Sequence, residues 1–240
     1  MPKAKYAEIY KDLKNKIETG EYGFQEFLPS ENTLILDYDC SRNTIRRAMA
    51  ALVNDCYVQT MQGKGVRNIF QPTAHTTFTI GGIESFRESA IRNRQESKTE
   101  VLQFVELTVD EKIASKTGFS VGSEVYYIQR LHYLDGKALI LNHNYFLKSV
   151  AHGLTKEIAE QSIYRYLEGE LHVSIVNSKR IMTVEKMTQI DEKYLDLGDY
   201  NCLAVVSSHT YNSDGIMFEY TQSRHRPDYF CFQDNAVRRS

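Results

Sequence analysis

Basic side chains are concentrated in one short part of this sequence, in a pattern that could bind nucleic acid. Residues 41 to 67 contain five basic residues and a single acidic one, namely Arg42, Arg46, Arg47, Lys64 and Arg67 against Asp55. The formal net charge of the whole chain is −2, so the basic surface is local. Because a protein must neutralise phosphates only where it touches them, such a surface on an otherwise acidic chain suits duplex DNA. The alternative, for any one such helix face, is an ordinary solvated surface.

A second set of polar residues, further along the chain, could bind a small anion. Arg130 and His132 are two residues apart in a strand-like run, so they project from the same face. Ser162 and Tyr164 lie near the start of a predicted helix, where unpaired backbone N–H groups and the helix dipole favour an anion. Arginine and hydroxyl groups together suit a phosphate. The alternative is that strand arginines and histidines lie at the surface and tyrosines in the core.

Other chemistries have little support in the sequence. The four cysteines are scattered, without a C-x-x-C pair, which indicates idle thiols in a reducing compartment. The pattern G-x-x-x-x-G-K-[ST] is absent, and neither a catalytic nucleophile motif nor a metal-spaced cluster stands out. We therefore expect no metal and no cofactor. We also expect no membrane segment, because no apolar run approaches ~18 residues, and the expected location is the cytoplasm.

The elements that must position the basic group form a compact module. A helix is predicted from Tyr6 to Thr19, a second helix is capped by Ser30, and a third helix is capped by Ser41. The third helix buries Ile45, Ala48, Met49, Leu52 and Val53 and exposes its arginines and Asn43. Arginine can pair with guanine and asparagine with adenine in a major groove. A hairpin with Lys64 at its turn follows, which completes a winged helix-turn-helix.

The rest of the chain has a different character. We predict the DNA-binding domain over residues 1–70, a polar linker over 71–79 and a second domain over 80–240. The second domain has six strand-like runs, with Asp-Gly turns at Asp135 and Asp214. Short helices are predicted at 84–94, 111–116 and 161–171. This order indicates an α+β fold on an antiparallel sheet. The two Asp-Gly hairpins resemble each other, so an internal duplication is a further hypothesis.

The first part of the chain resembles a known family. Residues 28 to 65, LPSENTLILDYDCSRNTIRRAMAALVNDCYVQTMQGKG, are similar to the DNA-binding domain of GntR-type bacterial transcription regulators. The usual family pattern is LPSE-[RH]-L, then S-R-x-T-[VI]-R-x-A, then G-x-G. The resemblance implies DNA contacts from the third helix and the wing, and the predicted DNA-binding residues are Arg42, Asn43, Thr44, Arg46, Arg47, Gln62, Gly63 and Lys64. Asn32 departs from the family's usual Arg or His.

The second part resembles the UTRA effector domain of HutC-type GntR regulators, whose fold is similar to chorismate lyase. The segments that carry this resemblance are SFRE (85–88), RLHYLDGKALILNHNYF (130–146), SIYRYLEGEL (162–171) and EYTQSRHRPDYFCF (219–232). It implies an effector-binding pocket formed by Ser85, Phe86, Arg130, His132, Asn142, Ser162, Tyr164, Glu219 and Arg224. His132 replaces a frequent second arginine, so we expect weaker or pH-dependent phosphate binding.

Two longer segments resemble the subgroup that regulates trehalose operons: LTKEIAEQSIYRYLEGEL and YTQSRHRPDYFCFQDNAVRR. This implies trehalose 6-phosphate as the effector. The leading hypothesis is a homodimeric repressor on double-stranded, palindromic operator DNA that is released by this sugar phosphate. A second hypothesis keeps the regulator but assigns another sugar phosphate, such as N-acetylglucosamine 6-phosphate. A third hypothesis is an enzyme that uses the chorismate-lyase-like fold, which the lack of a catalytic motif disfavours.

Overall fold

The computed structural model describes residues 5–71, 78–79 and 82–233. These residues form two compact units, one within residues 5–71 and the other within 78–233. The predicted linker lies largely outside the described residues, because 72–77 are not among them. The domain limits at 70 and 79 therefore stay predictions.

The first unit begins with three helices: α1 (Lys5–Glu18), α2 (Glu31–Asp37) and α3 (Arg42–Asn54). Ser30 and Ser41 cap α2 and α3, and each side chain accepts a hydrogen bond from the backbone N–H three residues later, as the sequence predicts. The core lies between α1 and α3 and includes Leu13, Ile45 and Leu52, all with no exposed area. Val53, predicted to be buried, is only partly so.

The wing follows directly as a two-stranded antiparallel hairpin. Strands β1 (Val58–Met61) and β2 (Gly65–Asn68) pair with Met61 opposite Gly65, which leaves a three-residue turn. Gly63 and Gly65 have φ of 72° and 112°. Residues with a side chain rarely adopt these angles, so the G-K-G sequence is needed for the turn itself.

The second unit is built on a six-stranded antiparallel sheet with helices. Its elements in chain order are β3 (Phe78–Thr79), α4 (Phe86–Arg92), β4 (Ser97–Thr108), α5 (Glu111–Thr117), β5 (Glu124–Leu134), β6 (Lys137–Leu147), α6 (Lys156–Gln161), α7 (Ile163–Gly169), β7 (Ile175–Lys186), α8 (Gln189–Tyr194), β8 (Cys202–Asn212), β9 (Met217–His225), a 3-10 turn (Pro227–Tyr229) and β10 (Phe232–Gln233). All six predicted strands and both Asp-Gly turns are present. Helices α6 and α8, of six residues each, were not predicted.

The strand order of the large sheet is β4-β5-β6-β9-β8-β7. Each half has the same sequence of elements, which is strand, short helix, strand, Asp-Gly turn and strand. The last strands of the two halves, β6 and β9, pair at the centre of the sheet. This arrangement agrees with the duplication hypothesis and brings the polar residues of both strands side by side.

The two faces of this sheet bury different groups. Helices α6 and α7 cover one face through a core that contains Phe146, Leu167 and Phe218. Residues of β5, β6 and β8 on the opposite face pack with Leu195 and Leu197 beyond α8. Because side chains alternate along a strand, this division fixes which polar residues of each strand can meet. In the part of the chain that the structure describes, no helix is both long and apolar enough to cross a bilayer.

Candidate functional site

The exposed face of α3 presents the side chains that the sequence predicts for DNA contact. Arg42, Asn43, Arg46 and Arg47 are exposed, and Thr44 is half-buried beside the Ser41 hydroxyl at 2.8 Å. The opposite face of α3 is buried against α1 and α2. The helical period alone therefore places these polar residues together on the surface of the first unit.

Three arginines on this face have different neighbours. Arg46 Nε lies 3.3 Å from both carboxylate oxygens of Glu31. Arg42 donates to Asn32 Oδ1 at 2.9 Å, so the residue that departs from the family pattern holds a predicted DNA-contact residue. The Arg47 guanidinium lies over the Tyr6 ring at 4.1 Å, which directs it towards α1.

The wing turn is exposed at Gln62, Gly63 and Lys64, and its base is held by a residue that the sequence analysis missed. Asn68 is buried, and its Nδ2 donates to the carbonyl oxygens of Tyr22 and Gly23 at 2.7 and 3.0 Å. Its Oδ1 accepts from the Phe70 N–H at 2.8 Å. These bonds fasten the wing to the segment between α1 and α2, so the turn projects from a fixed base.

The second unit contains a polar cavity over the centre of the large sheet, with a volume of about 150 Å³. That is roughly ten times the smallest space that holds one water. Eight predicted effector-binding residues line it, namely Ser85, Phe86, Arg130, His132, Asn142, Ser162, Tyr164 and Glu219. They come from α4, β5, β6, α7 and β9, so the sheet and two helices bring distant parts of the sequence into one site.

A chain of hydrogen bonds crosses the cavity floor. Arg130 Nε donates to Asn144 Oδ1 at 2.9 Å, and Asn144 Nδ2 donates to Thr221 Oγ1 at 2.6 Å. The hydroxyl of Thr221 donates to one oxygen of Glu219 at 2.8 Å, and the hydroxyl of Tyr164 donates to the other at 2.6 Å. Both oxygens of the Glu219 carboxylate are thus bound within the protein.

Arg130 keeps most of its hydrogen-bonding capacity for a ligand. Its hydrogen bond to the described side chains uses Nε, one of five N–H donors on a guanidinium. Burial lowers the pKa of Arg130 to about 10, and the Glu219 carboxylate opposes that shift. The guanidinium is therefore charged at neutral pH and poorly solvated, which suits an anion that supplies the missing solvation.

His132 lies in the cavity wall, where its environment disfavours the charged imidazolium form. Its side chain is 1% exposed, Nδ1 lies 2.9 Å from the Thr99 hydroxyl, and Nε2 lies 3.0 Å from Asn142 Nδ2. Burial, followed by the charges of Arg130 and His225, lowers its pKa well below the ordinary value. A lowered pKa favours the first of the two expectations, weaker phosphate binding, over a pH dependence near the ordinary imidazole pKa, and both stay predictions.

Two predicted contact residues, Ser85 and Ser162, also cap the N-termini of helices. Ser85 caps α4 in a reciprocal arrangement with Glu88, and the Ser85 hydroxyl donates to that carboxylate at 2.7 Å. Ser162 caps α7 by accepting from the Arg165 N–H at 3.3 Å. Each hydroxyl thus has a structural role that positions the helix end beside the cavity.

Arg224 does not line the cavity, which corrects the prediction for this residue. Its guanidinium donates to Asp191 at 2.9 Å and to Glu185 at 2.6 Å, and Asp191 is fully buried. Arg224 lies five residues after Glu219 on β9, and an odd separation places two side chains on opposite faces of a strand. Arg224 therefore anchors α8 to the other face of the sheet.

Several lining residues were not predicted. They include Arg87, Thr99, Asn144, Arg180, Thr221, Ser223 and His225. Because every second side chain of a strand lies on the same face, the positions of Asn142 and Glu219 would have predicted Asn144, Thr221 and Ser223 as further lining residues. Arg180, whose Nη2 donates to the Gly82 carbonyl at 2.8 Å, lies on β7 in the other half of the sheet. Only the strand order brings it to this cavity. Of the 16 tyrosines, Tyr164 is the one that lines the described cavity.

No group of three or more histidine, cysteine or acidic side chains that could hold a metal occurs among residues 5–71, 78–79 and 82–233.

A winged helix in one unit and a polar cavity in the other fit the two-domain organisation of a transcriptional regulator. Residues 5–67 match the model of the gntR family of bacterial regulatory proteins, and residues 92–231 match the UTRA domain. The chain belongs to the GntR family and is of the HutC type, which combines these two domains. The HTH-type transcriptional regulator TreR of Bacillus subtilis (strain 168) is 36% identical over 234 residues, which are 98% of this chain and 98% of TreR.

Two solved structures are similar to this chain. The effector-binding domain of the B. subtilis trehalose repressor TreR is 36% identical, covers 60% of this chain and 99% of its own, and superposes with a TM-score of 0.54. The possible transcriptional regulator YydK of B. subtilis is 20% identical, covers 98% of this chain and 100% of its own, and gives a TM-score of 0.83. At 20% identity, the similarity to YydK shows the fold alone.

Proposed function

We propose that this chain represses a trehalose utilisation operon and is released from a palindromic operator by trehalose 6-phosphate. The observation that carries the proposal is the cavity at Arg130, which combines a poorly solvated cation with polar side chains suited to a sugar. The identity of 36% with TreR over nearly the whole length supports the choice of trehalose. DNA and a sugar phosphate are thus the proposed partners, and the cytoplasm is the proposed location.

On the DNA side, the proposal assigns base contacts to α3 and backbone contacts to the wing. Arg42, Asn43, Thr44, Arg46 and Arg47 would enter the major groove. The turn at Gln62, Gly63 and Lys64 would reach the adjacent backbone or minor groove. Arg47 would first leave the Tyr6 ring to do so, which makes it the weakest member of this group.

On the effector side, the proposal places the phosphate at Arg130 and the sugar along Asn142 and the cavity floor. The Glu219 carboxylate would contribute to effector binding through the hydrogen bonds that it already accepts. These bonds fix Tyr164 and the series of hydrogen bonds that ends at Arg130. To release DNA, the effector must bind the non-DNA-binding state more tightly by ~1–3 kcal/mol or more.

The test is calorimetric titration of the purified protein with trehalose 6-phosphate, trehalose and N-acetylglucosamine 6-phosphate. We expect trehalose 6-phosphate to bind tightly and to dissociate a fluorescent operator fragment taken from beside trehalose genes. Trehalose without its phosphate should bind much more weakly, because Arg130 then has no anion.

A preference for the amino-sugar phosphate would overturn the choice of trehalose and favour a regulator with another sugar phosphate. Absence of binding by all three compounds would overturn the effector class. Conversion of chorismate by the protein would reinstate the enzyme hypothesis.

A further inference from the structure

One acceptor atom in the cavity wall has no partner among the described residues. Asn142 is 8% exposed, and its Nδ2 donates to His132 Nε2 at 3.0 Å. Its Oδ1 is buried and makes no hydrogen bond to any described group. Because buried polar atoms are nearly always hydrogen-bonded, an unpaired carbonyl in a ligand-sized cavity indicates a partner that arrives from outside.

The neighbouring amide makes the contrast clear. Asn144 lies two residues along the same strand and also lines the cavity. Its oxygen accepts from Arg130 and its nitrogen donates to Thr221, so both ends are bound. Asn142 is bound at its nitrogen alone. The two asparagines therefore have different roles, although strand geometry places them on the same face.

The orientation of the Asn142 amide and the tautomer of the His132 ring are linked. When His132 Nε2 accepts from Asn142, the single proton of the neutral imidazole lies on Nδ1. Nδ1 then donates to the Thr99 oxygen, 2.9 Å away. Phe86 packs on the ring with centroids 4.2 Å apart, which opposes rotation of the imidazole. In the structure the amide nitrogen faces the ring and the oxygen faces away from it, an arrangement that requires the imidazole proton to lie on Nδ1.

We propose that the Asn142 carbonyl oxygen accepts a hydrogen bond from a hydroxyl group of the bound sugar, with His132 and Thr99 as positioning residues. This rests on the proposed function, because it specifies how the same cavity recognises its ligand. A fully ionised phosphate has no proton to donate, so the anion does not satisfy this atom. Asn142 lies directly opposite Arg130 on the paired strand, which puts the hydroxyl position next to the anion position.

The first experiment compares ligand affinities of full-length variants by calorimetry. In Asn142→Ala, affinity for trehalose 6-phosphate should fall by roughly 10-fold or more, as expected for loss of a buried hydrogen bond. Binding of inorganic phosphate, followed by NMR titration at millimolar concentration, should stay within about 2-fold of the wild type, because Arg130 is intact. His143→Gln is the matched control, because His143 is the next residue on β6 and faces the other side of the sheet.

The second experiment needs no ligand. Long-range 1H–15N correlation spectra of the histidine-labelled protein should show His132 with its proton on Nδ1. In Asn142→Asp the carboxylate can only accept, so the proton should move to Nε2 or the ring should become charged. In Thr99→Val the Nδ1 partner is lost, and a fall in sugar affinity without a fall in phosphate affinity would mark a positioning role.

The outcomes separate this proposal from the proposed function. A wild-type ring protonated on Nε2, or an Asn142→Ala variant with unchanged affinity for trehalose 6-phosphate, would overturn the contact and leave the regulator intact. An equal loss of sugar and phosphate binding would also overturn it, because it would indicate a general collapse of the cavity. If the wild type bound inorganic phosphate but no sugar phosphate, the proposed effector class and this contact would both fall.

Discussion

The arginines of the two candidate sites differ in exposure, and this determines what each can do. The Arg46 side chain is 62% exposed, and its ion pair with Glu31 is open to solvent. Such pairs contribute ~0–1 kcal/mol, so Arg46 can exchange Glu31 for a base edge at little cost. Arg130 is enclosed, and burial disfavours its charge. An arginine in that environment gains most from a bound anion.

Arg46→Ala should abolish specific operator binding and leave effector binding intact. Removal of a bidentate base contact costs ~1–3 kcal/mol, or roughly a 10- to 100-fold loss of affinity per half-site. The measurement is fluorescence anisotropy with operator and scrambled DNA at fixed salt concentration. Lys11→Ala, which removes an exposed charge from α1, is the control. An equal loss on both DNA sequences would contradict a base-reading role for Arg46.

Arg130→Ala should have the reverse effect. The variant should bind operator normally but lose most of its affinity for the sugar phosphate, by roughly 100-fold, which gives a repressor that cannot be induced. Calorimetry together with operator anisotropy measures both activities. Arg165→Ala, at an exposed residue of α7, should behave as the wild type. If ordinary effector concentrations still released the Arg130→Ala variant from operator DNA, the assignment of the phosphate to Arg130 would be wrong.

At the scale of elements, the two edges of the large sheet are protected unequally. The edge strand β4 exposes charged and polar side chains such as Lys98, Glu100 and Gln103, which discourage pairing with another strand. The opposite edge strand, β7, exposes Val176, Ile181, Met182 and Val184. Val184 alone is 75% exposed. An edge strand with four exposed apolar side chains is a suitable surface for a second copy of the chain.

We therefore expect Val184→Glu to convert the proposed homodimer into a monomer and to weaken operator binding, because two half-sites are no longer joined. Size-exclusion chromatography with light scattering measures the mass, and the monomer is 27.7 kDa. Gln103→Glu adds the same charge to the β4 edge and should leave the dimer unchanged. A dimeric Val184→Glu variant would place the interface elsewhere.

For the whole molecule, buried histidines couple stability to pH. Burial lowers the pKa of His225 to about 3 and that of His132 well below its ordinary value. Between the folded and unfolded pKa values the unfolded chain binds more protons, so stability is complete above pH ~6.5 and falls as the pH drops below it. The folded state keeps both rings neutral because a charge has almost no access to water at either position.

Lowering the pH from 7.0 to 5.5 should therefore reduce the free energy of unfolding by roughly 1 kcal/mol for each buried histidine with a strongly lowered pKa, namely His132, His225 and also His143, whose pKa burial lowers to about 4. Urea denaturation of the full chain, followed by circular dichroism, gives the measurement. His225→Gln should lower the pH dependence by roughly 1 kcal/mol, the share of one ring, while His152→Gln, at an exposed position, should not change it. Equal stability of the wild type at both pH values would show that other groups compensate or that the rings titrate normally.

Local sequence patterns are enough to derive the local structure and the exposed polar face of α3. Serine caps, the helical period of α3 and the G-K-G turn act within a few residues of one another, so their geometry can be derived without knowledge of the rest of the fold. The Asp-Gly turns and alternating strands similarly specified both hairpins. The alternation of side chains along β9 would also have placed Arg224 and Glu219 on opposite faces of the sheet.

The assembled sheet, in contrast, sets which polar residues share the cavity and which hydrogen bonds and pKa shifts they have. Arg180 and Arg130 lie on strands from opposite halves of the sheet, and no local pattern relates them. The lowered pKa of His132 comes from burial, and the side chains that surround the ring, Thr99, Asn142 and Phe86, reach it from three other elements. The unpaired oxygen of Asn142 is likewise a property of its surroundings. Burial and hydrogen bonding are set by contacts between segments far apart in the chain, and those contacts exist only once the sheet has assembled.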